Sequence, residues 1–309
     1  MTVRALFKHR LACVLVMAVI AVMLPLVFPS AYYYRVAALV FVFALAAVGL
    51  NLLMGLAGQV SLGHAGFMAI GAYAVAIGPT HLGLPSWLSF VLGAALSALT
   101  AFVVGRPILR LKGHYLAVAT LGFGLLLAIV FTNEARWTGG PDGMAVPRLV
   151  LLDTPVRGAE TWYWVSAVSF LIGATLAQNL IDSPSGRALA AIHDSELAAR
   201  VLGIEAGSQK LKAFVISAVY ASVAGSLFAL LNGHITPDVS GFLRSIELVA
   251  MVVLGGMGSV AGSLVGAALL VVLPQTLTAL HDYEHMVLGL VVMAVMIFLR
   301  AGIDRKSVV

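Results

Sequence analysis

Asp182-Ser-Pro-Ser-Gly-Arg187-Ala-Leu-Ala-Ala-Ile192-His-Asp-Ser-Glu196-Leu-Ala-Ala-Arg200-Val-Leu-Gly203 begins a charged island that runs on to Lys210 and Lys212, in a chain that is otherwise almost continuously apolar. Around it, 61% of the 309 residues are hydrophobic, 10% are charged, and the mean hydropathy is +1.05. Soluble domains carry about 25% charged residues, so composition alone assigns the chain to the membrane. The net charge of +5 does not point to nucleic acid, because no basic run interleaves with aromatics and the Lys and Arg residues fall in short loops between apolar runs. The single cysteine, Cys13, lies inside the first apolar run and offers no disulfide framework or metal cluster.

Apolar runs of roughly 17 to 25 residues, the length that crosses a bilayer core, predict about ten spans: 11 to 29, 35 to 56, 61 to 79, 86 to 105, 114 to 133, 162 to 181, 210 to 231, 243 to 257, 261 to 280 and 285 to 300. The expected fold is an all-α integral membrane protein, one domain over 1–309, with glycines breaking the pattern at the second/third and eighth/ninth pairs. A cytoplasmic element over 182–209 interrupts it. The first run follows Arg4, Lys8 and Arg10 as a signal peptide would. Its apolar core is too long for one, and no A-x-A site follows before Tyr32, so it reads as an uncleaved span.

Orientation follows from the bias of Lys and Arg toward the cytoplasmic side. With the N-terminus inside, Arg4, Lys8, Arg10, Arg106, Arg110, Lys112, Arg187, Arg200, Lys210, Lys212, Arg300, Arg305 and Lys306 are cytoplasmic. Arg35, Arg136, Arg148, Arg157 and Arg244 lie outside. Both termini and the island are then expected in the cytoplasm, and the longest external loop is 134–161.

Shifting the chain by 200 positions brings Gly55, Gly58, Val60 and Gly66 onto Gly255, Gly258, Val260 and Gly266. Paired Gly-interrupted segments are what transporters use to break helices beside a pathway. Near the first break, Asn51, Gln59, Ser61 and His64 lie in or beside apolar spans, where an unsatisfied polar group is costly. Two readings stand: hydrogen bonds that glue helices together, or the lining of a translocation pathway. Glu247, one turn after Arg244, suits an i, i+3 ion pair at the outer interface and is a further pathway candidate. Gly262-Ser-Leu-Val-Gly266 fits the small-residue pattern of closely packed helices.

Enzyme signals do not survive inspection. His281-Asp-Tyr-Glu-His285 has the H-x-x-E-H spelling of a metallopeptidase, but falls in a short turn between two predicted spans with no helix to present it. The chain contains no Gly-Lys dipeptide, so the phosphate-cradling loop is missing, and no G-x-S-x-G elbow is present. If ATP drives transport here, another polypeptide hydrolyses it.

Within the island, Ser183 is placed to cap a helix with Pro184 at its first position. That helix is expected to run through Ile192, with Asp194 capping a second one to Leu202 and Gly203 stopping it. Leu189 and Ile192 form an apolar edge on the first helix; Leu197, Val201 and Leu202 form one on the second. An Ala- and Leu-rich element of this kind suits a groove on another protein better than a solvated linker.

Five stretches resemble one family in order: Asn51-Leu-Leu-Met-Gly-Leu-Ala-Gly-Gln-Val-Ser-Leu-Gly-His-Ala-Gly-Phe-Met-Ala-Ile-Gly-Ala-Tyr73, Leu111-Lys-Gly-His-Tyr-Leu-Ala-Val-Ala-Thr-Leu121, Thr138-Gly-Gly-Pro-Asp-Gly143, Ser185-Gly-Arg-Ala-Leu-Ala-Ala-Ile192 and Val253-Leu-Gly-Gly-Met-Gly258. They look like the membrane permeases of branched-chain amino acid ABC importers, of the LivM type, over about residues 35 to 300. The resemblance implies a multi-pass subunit of the bacterial inner membrane that binds no cofactor itself. Its partners would be a homologous second permease, two cytoplasmic ATPases carrying ATP and Mg, and an external solute-binding protein. It also implies that Ser185, Gly186, Arg187, Ala188, Ala191, Ile192, Asp194, Glu196, Ala199 and Gly203 belong to a coupling element resting on an ATPase.

Substrate stays open between branched-chain or other hydrophobic amino acids and the urea or short amides served by similar permeases. An ion-coupled secondary transporter is the reading from another class. It would need an intramembrane acid or base, for which only Glu247 and His64 are available.

Overall fold

The structure, a computed structural model, describes residues 14–276 except 112, 152 and 153, and beyond them only 289 and 293. Cys13, the His281 to His285 motif and, apart from 289 and 293, the last predicted span at 285–300 lie outside the described residues.

Helices are the outcome that long apolar runs dictate, since a backbone in hydrocarbon must satisfy its own hydrogen bonds. In chain order they are α1 (Val14–Leu26), α2 (Ala31–Leu56), α3 (His64–His81), α4 (Ser86–Ile108), α5 (His114–Asn133), the single turn α6 (Ala135–Thr138), α7 (Ala159–Asp182), α8 (Pro184–Asp194), α9 (Glu196–Val201), α10 (Ala206–Asn232), α11 (Phe242–Gly255) and α12 (Val260–Thr276). Among the described residues, four two-residue strands pair in two antiparallel sheets. β1 (Met144–Ala145) joins β4 (His234–Ile235), and β2 (Val150–Leu151) joins β3 (Thr154–Pro155). Among the described residues, α2, α4, α5, α7 and α10 are long and apolar enough to cross a membrane.

At the centre stand α2 and α10. α2 packs against α7, α10, α11 and α12, and α10 against α2, α3 and α4. α3 and α10 touch backbone to backbone: a Cβ on Gly71 would lie 1.9 Å from the Ser222 carbonyl oxygen, and one on Gly225 1.8 Å from that of Met68. α4 and α5 instead turn Leu96, Leu99, Leu126 and Ile129 outward. Apolar surface of this kind suits lipid or a partner helix.

Two ends of the bundle are distinct. Tyr32 Oη donates to Gln275 Oε1 at 2.5 Å and Arg35 to Asn232 Oδ1 at 3.0 Å, gathering the start of α2 with the ends of α10 and α12 at the far end. The island, α8 and α9, closes the other end between α7 and α10.

Not every crossing is a full helix. α3 has 18 residues and α11 has 14. At 1.5 Å per residue these are about 27 and 21 Å long, short of a core of about 30 Å. Stretches outside the α-helices complete them: 58–63 before α3, and 233–241 with its 3-10 turn Pro237–Ser240 before α11. Such backbone is tolerated at depth only when enclosed by protein, and Gln59, Ser61, Gly63, Ile235, Val239 and Ser240 are all buried. The third predicted span therefore starts three residues late. The Leu62 N–H, free of any helix, donates to Thr120 Oγ1 of α5 at 3.0 Å. The first turns of the two short helices then meet, the Ala65 N–H donating to Ser245 Oγ at 3.2 Å.

Candidate functional site

The two glycine breaks matched by the 200-residue shift lie against each other. α2 ends in a π-helical turn, Leu52–Leu56, before the chain turns at Gly58 with φ +63°. α11 ends at Gly255 before a turn containing Gly256 at φ +106° and Gly258 at φ +85°. Asn51, only 4% exposed, bridges them. Its Nδ2 donates to the Ser259 carbonyl and to Ser263 Oγ, both at 2.8 Å, while its Oδ1 accepts from the Gly258 N–H at 2.7 Å. One side chain thus gives an acceptor to the Gly258 N–H, which the break leaves without a helical partner, and ties it to the first turn of α12. Gly262 and Gly266 allow α12 its close approach, since Cβ atoms there would fall 2.1 and 1.9 Å from the carbonyl oxygens of Gly255 and Met251.

Ser61 and His64 belong to one buried chain of hydrogen bonds. Ser217 Oγ donates to the Gly49 carbonyl at 2.6 Å, so its contact with His64 Nε2 at 2.5 Å makes the imidazole the donor there. Nδ1 is then left to accept from Ser61 Oγ at 3.1 Å. The imidazole, 0% exposed, stitches α3 to α10 and, through Ser217, to α2. Gln59 differs: it is 4% exposed, and its Oε1 has no hydrogen-bond partner among the described residues.

Glu247 stands apart from these four. The pair with Arg244 forms as the i, i+3 spacing predicts, Nη1 to Oε2 at 2.5 Å. The guanidinium also rests 5.2 Å from the ring centre of Phe43 on α2. Both side chains, about 30% exposed, face a cavity of about 340 Å³ between α2, α10, α11 and α12. Phe43, Phe228, Met251, Asn232 and Gln275 are among the residues that line it.

The island folds largely as its caps dictate. Ser183 Oγ accepts from the Gly186 N–H at 3.1 Å with Pro184 first in α8. α8 runs two residues past the expected end, to Asp194, so the second cap is Ser195, whose Oγ accepts from the Ala198 N–H at 3.3 Å. Gly203 ends the element at φ +80°. The two apolar edges face opposite ways. Leu189 and Ile192 are buried against the rest of the chain, as are Gly186 and Ala199. Leu197, Val201 and Leu202 are 77%, 82% and 77% exposed. Ser185, Ala188 and Ala191 are half-buried, and Arg187 and Asp194 exposed. Glu196 pairs with Arg200 at 2.5 Å and Lys210 at 2.8 Å, pinning α9 to α10. The Lys210 hydrogen bond, opposed by burial and aided by both positive charges, holds the Glu196 carboxyl below its ordinary pKa.

At the seam between island and bundle, a Cβ on Gly58 would sit 3.2 Å from His193 Nδ1 at the end of α8. The island therefore touches the first break six residues before His64. Sequence reading missed several partners here. Ser217, Ser263 and Thr120 are single hydroxyls in apolar helices, a weak signal; Asn232 and Gln275 are polar groups at span ends. Among the described residues no group of three His, Cys, Asp or Glu side chains comes together.

An all-α, multi-pass membrane protein in which two shortened helices meet at their first turns has the architecture of a transport permease. The pattern of one family, described as branched-chain amino acid transport system / permease component, matches residues 32–298, and the chain belongs to that family. The high-affinity branched-chain amino acid transport system permease protein LivM of Salmonella typhimurium is 34% identical over 87% of this chain and 69% of its own length. LivM of Escherichia coli K12 matches to the same extent. LivH of Salmonella typhimurium, a permease protein of the same system, is 26% identical over 79% of this chain and 84% of itself. No solved structure matches the chain.

Proposed function

We propose that this chain is a membrane subunit of an ATP-driven importer that carries branched-chain or other hydrophobic amino acids into the cytoplasm by alternating access. The observation that carries the reading is the division of the island. α8 is anchored to the bundle and abuts the first break at Gly58, while α9 leaves an apolar edge, Leu197, Val201 and Leu202, open to a partner. An ATPase subunit gripping α9 would move α8 as one body with it, and α8 would press on the segment that leads to His64. ATP and Mg are bound by that partner. The energetic requirement is modest, since a contact need only favour one state over the other.

Sidedness follows from charge. At the island end stand Arg106, Arg110, Arg187, Arg200, Lys210 and Lys212, against Arg35, Arg136, Arg148 and Arg157 at the far end. The ten spans expected from the sequence would put both termini in the cytoplasm of a bacterium and the chain in its inner membrane. LivM and LivH both resemble this chain and serve one system by name, which supports a homologous second permease as partner. An external solute-binding protein would deliver substrate to the far end.

The test is a mild-detergent pull-down from the native host, with identification of co-purifying proteins and an ATPase assay on the eluate. Recovery of a homologous permease with active ATPase subunits is the expected result. Recovery of the chain alone or as a self-oligomer, without ATPase activity, contradicts the reading.

A further inference from the structure

We infer that the cavity between α2, α10, α11 and α12 is a binding site for the zwitterionic head and apolar side chain of an α-amino acid, with Arg244 holding the carboxylate and Glu247 the ammonium. This rests on the importer reading and names the residues that would meet its substrate. Charged side chains among apolar helices are rare and mark solute pathways, and a half-buried ion pair is weak evidence of a stabilising role. Here the pair is incompletely used. Arg244 Nη1 meets Glu247 Oε2, and among the described residues neither side chain has another hydrogen-bond partner. That leaves further guanidinium N–H groups and Glu247 Oε1 to engage a ligand.

The walls match the rest of such a molecule. Phe43, which the Arg244 guanidinium touches, offers apolar contact together with Phe228 and Met251, and Asn232 adds an amide. The volume, about 340 Å³, lies at the lower end of the range for small-molecule sites, roughly 300 to 1,000 Å³. Arg244 also lies in the first turn of α11, where unpaired backbone N–H groups add positive potential that favours a carboxylate. A zwitterion brings both counter-charges at once and leaves neither protein charge alone in an apolar wall. The corresponding 2-oxo acid has no ammonium for Glu247 and is excluded on that account.

The test uses the full complex reconstituted in liposomes, with its ATPases, its binding protein and radiolabelled leucine. Variants are Arg244→Gln, Glu247→Gln and the two together. Each single change is expected to lower leucine uptake roughly ten- to a hundredfold, the range for losing a charged hydrogen bond, with ATPase stimulation by loaded binding protein retained. The double variant is expected to transport no better than the worse single. A pair that only supports the fold behaves oppositely: removing both charges leaves none unpaired, and the double variant recovers uptake. Recovery in the double variant, or wild-type uptake in the singles, overturns the site while leaving the importer reading intact. A wild-type complex with no ATP-dependent uptake of any branched-chain amino acid overturns the importer reading itself.

Discussion

Replacing Asn51 by Ala tests whether one side chain holds the two breaks together. The change removes three short hydrogen bonds, to the Ser259 carbonyl, Ser263 Oγ and the Gly258 N–H. The Ser259 carbonyl keeps a donor, because Ser263 Oγ already reaches it at 3.2 Å. The Gly258 N–H loses its acceptor, and because Gly258 itself is exposed and water can take the place of the amide, the cost is the net value of one hydrogen bond, about 0.5–1.5 kcal/mol. Adding the lost contacts of the truncated amide in a site 4% exposed brings the total to about 1–3 kcal/mol. Hydrogen–deuterium exchange on the purified chain in detergent measures this locally. The amide of Gly258 should exchange about tenfold faster or more, a factor of ten being about 1.4 kcal/mol, while amides in the middle of α10 change little. Asn51→Asp keeps the acceptor but turns a carboxylate toward the Ser259 carbonyl, and should be no better than Ala. Unchanged exchange at Gly258 in Asn51→Ala would refute the claim that this residue locks the breaks.

Further outcomes follow from other contacts. Gly58→Ala forces a side chain into a left-handed position, at a cost of about 1–2 kcal/mol, and against His193 at 3.2 Å; uptake per ATP hydrolysed should fall while the chain still reaches the membrane, and normal coupling would contradict a role for that contact. Gly225→Ala puts a Cβ 1.8 Å from the Met68 carbonyl; the overpacking costs about 1–3 kcal/mol or more, and detergent melting should show it, no shift meaning that α3 and α10 are not so close. Glu196 titrates below its ordinary value of 4.5 when folded, so its contribution is present above that pH and is lost as pH falls through the depressed value. Amide protection across α9 should therefore decline on acidification below about pH 4.5, and Glu196→Gln should lose it at neutral pH. Protection that ignores both pH and the substitution would mean that Lys210 and Arg200 do not hold α9.

Much of the fold is legible because the bilayer imposes helices on apolar runs. The fifth predicted span, 114 to 133, is α5 to the residue. The third fails at its start because Leu62 and Gly63 answer to Thr120, a partner about sixty positions away that periodicity does not see. The repeat locates both breaks, yet only the packed chain shows that Asn51 joins them. In the island the cap slips by one residue, since Asp194 and Ser195 are both good capping residues and the last turn of α8 takes Asp194. Leu189 and Val201 are equally apolar in sequence; one faces home and the other away.

The island is where the account stands or falls, and a photo-crosslinking residue at Val201 interrogates it most directly. With the complex purified under mild detergent and illuminated, the account predicts an adduct with the ATPase subunit from Val201 and none from Leu96, an exposed apolar position on α4. An intact, ATP-hydrolysing complex that gives no ATPase adduct from Leu197, Val201 or Leu202 would contradict it.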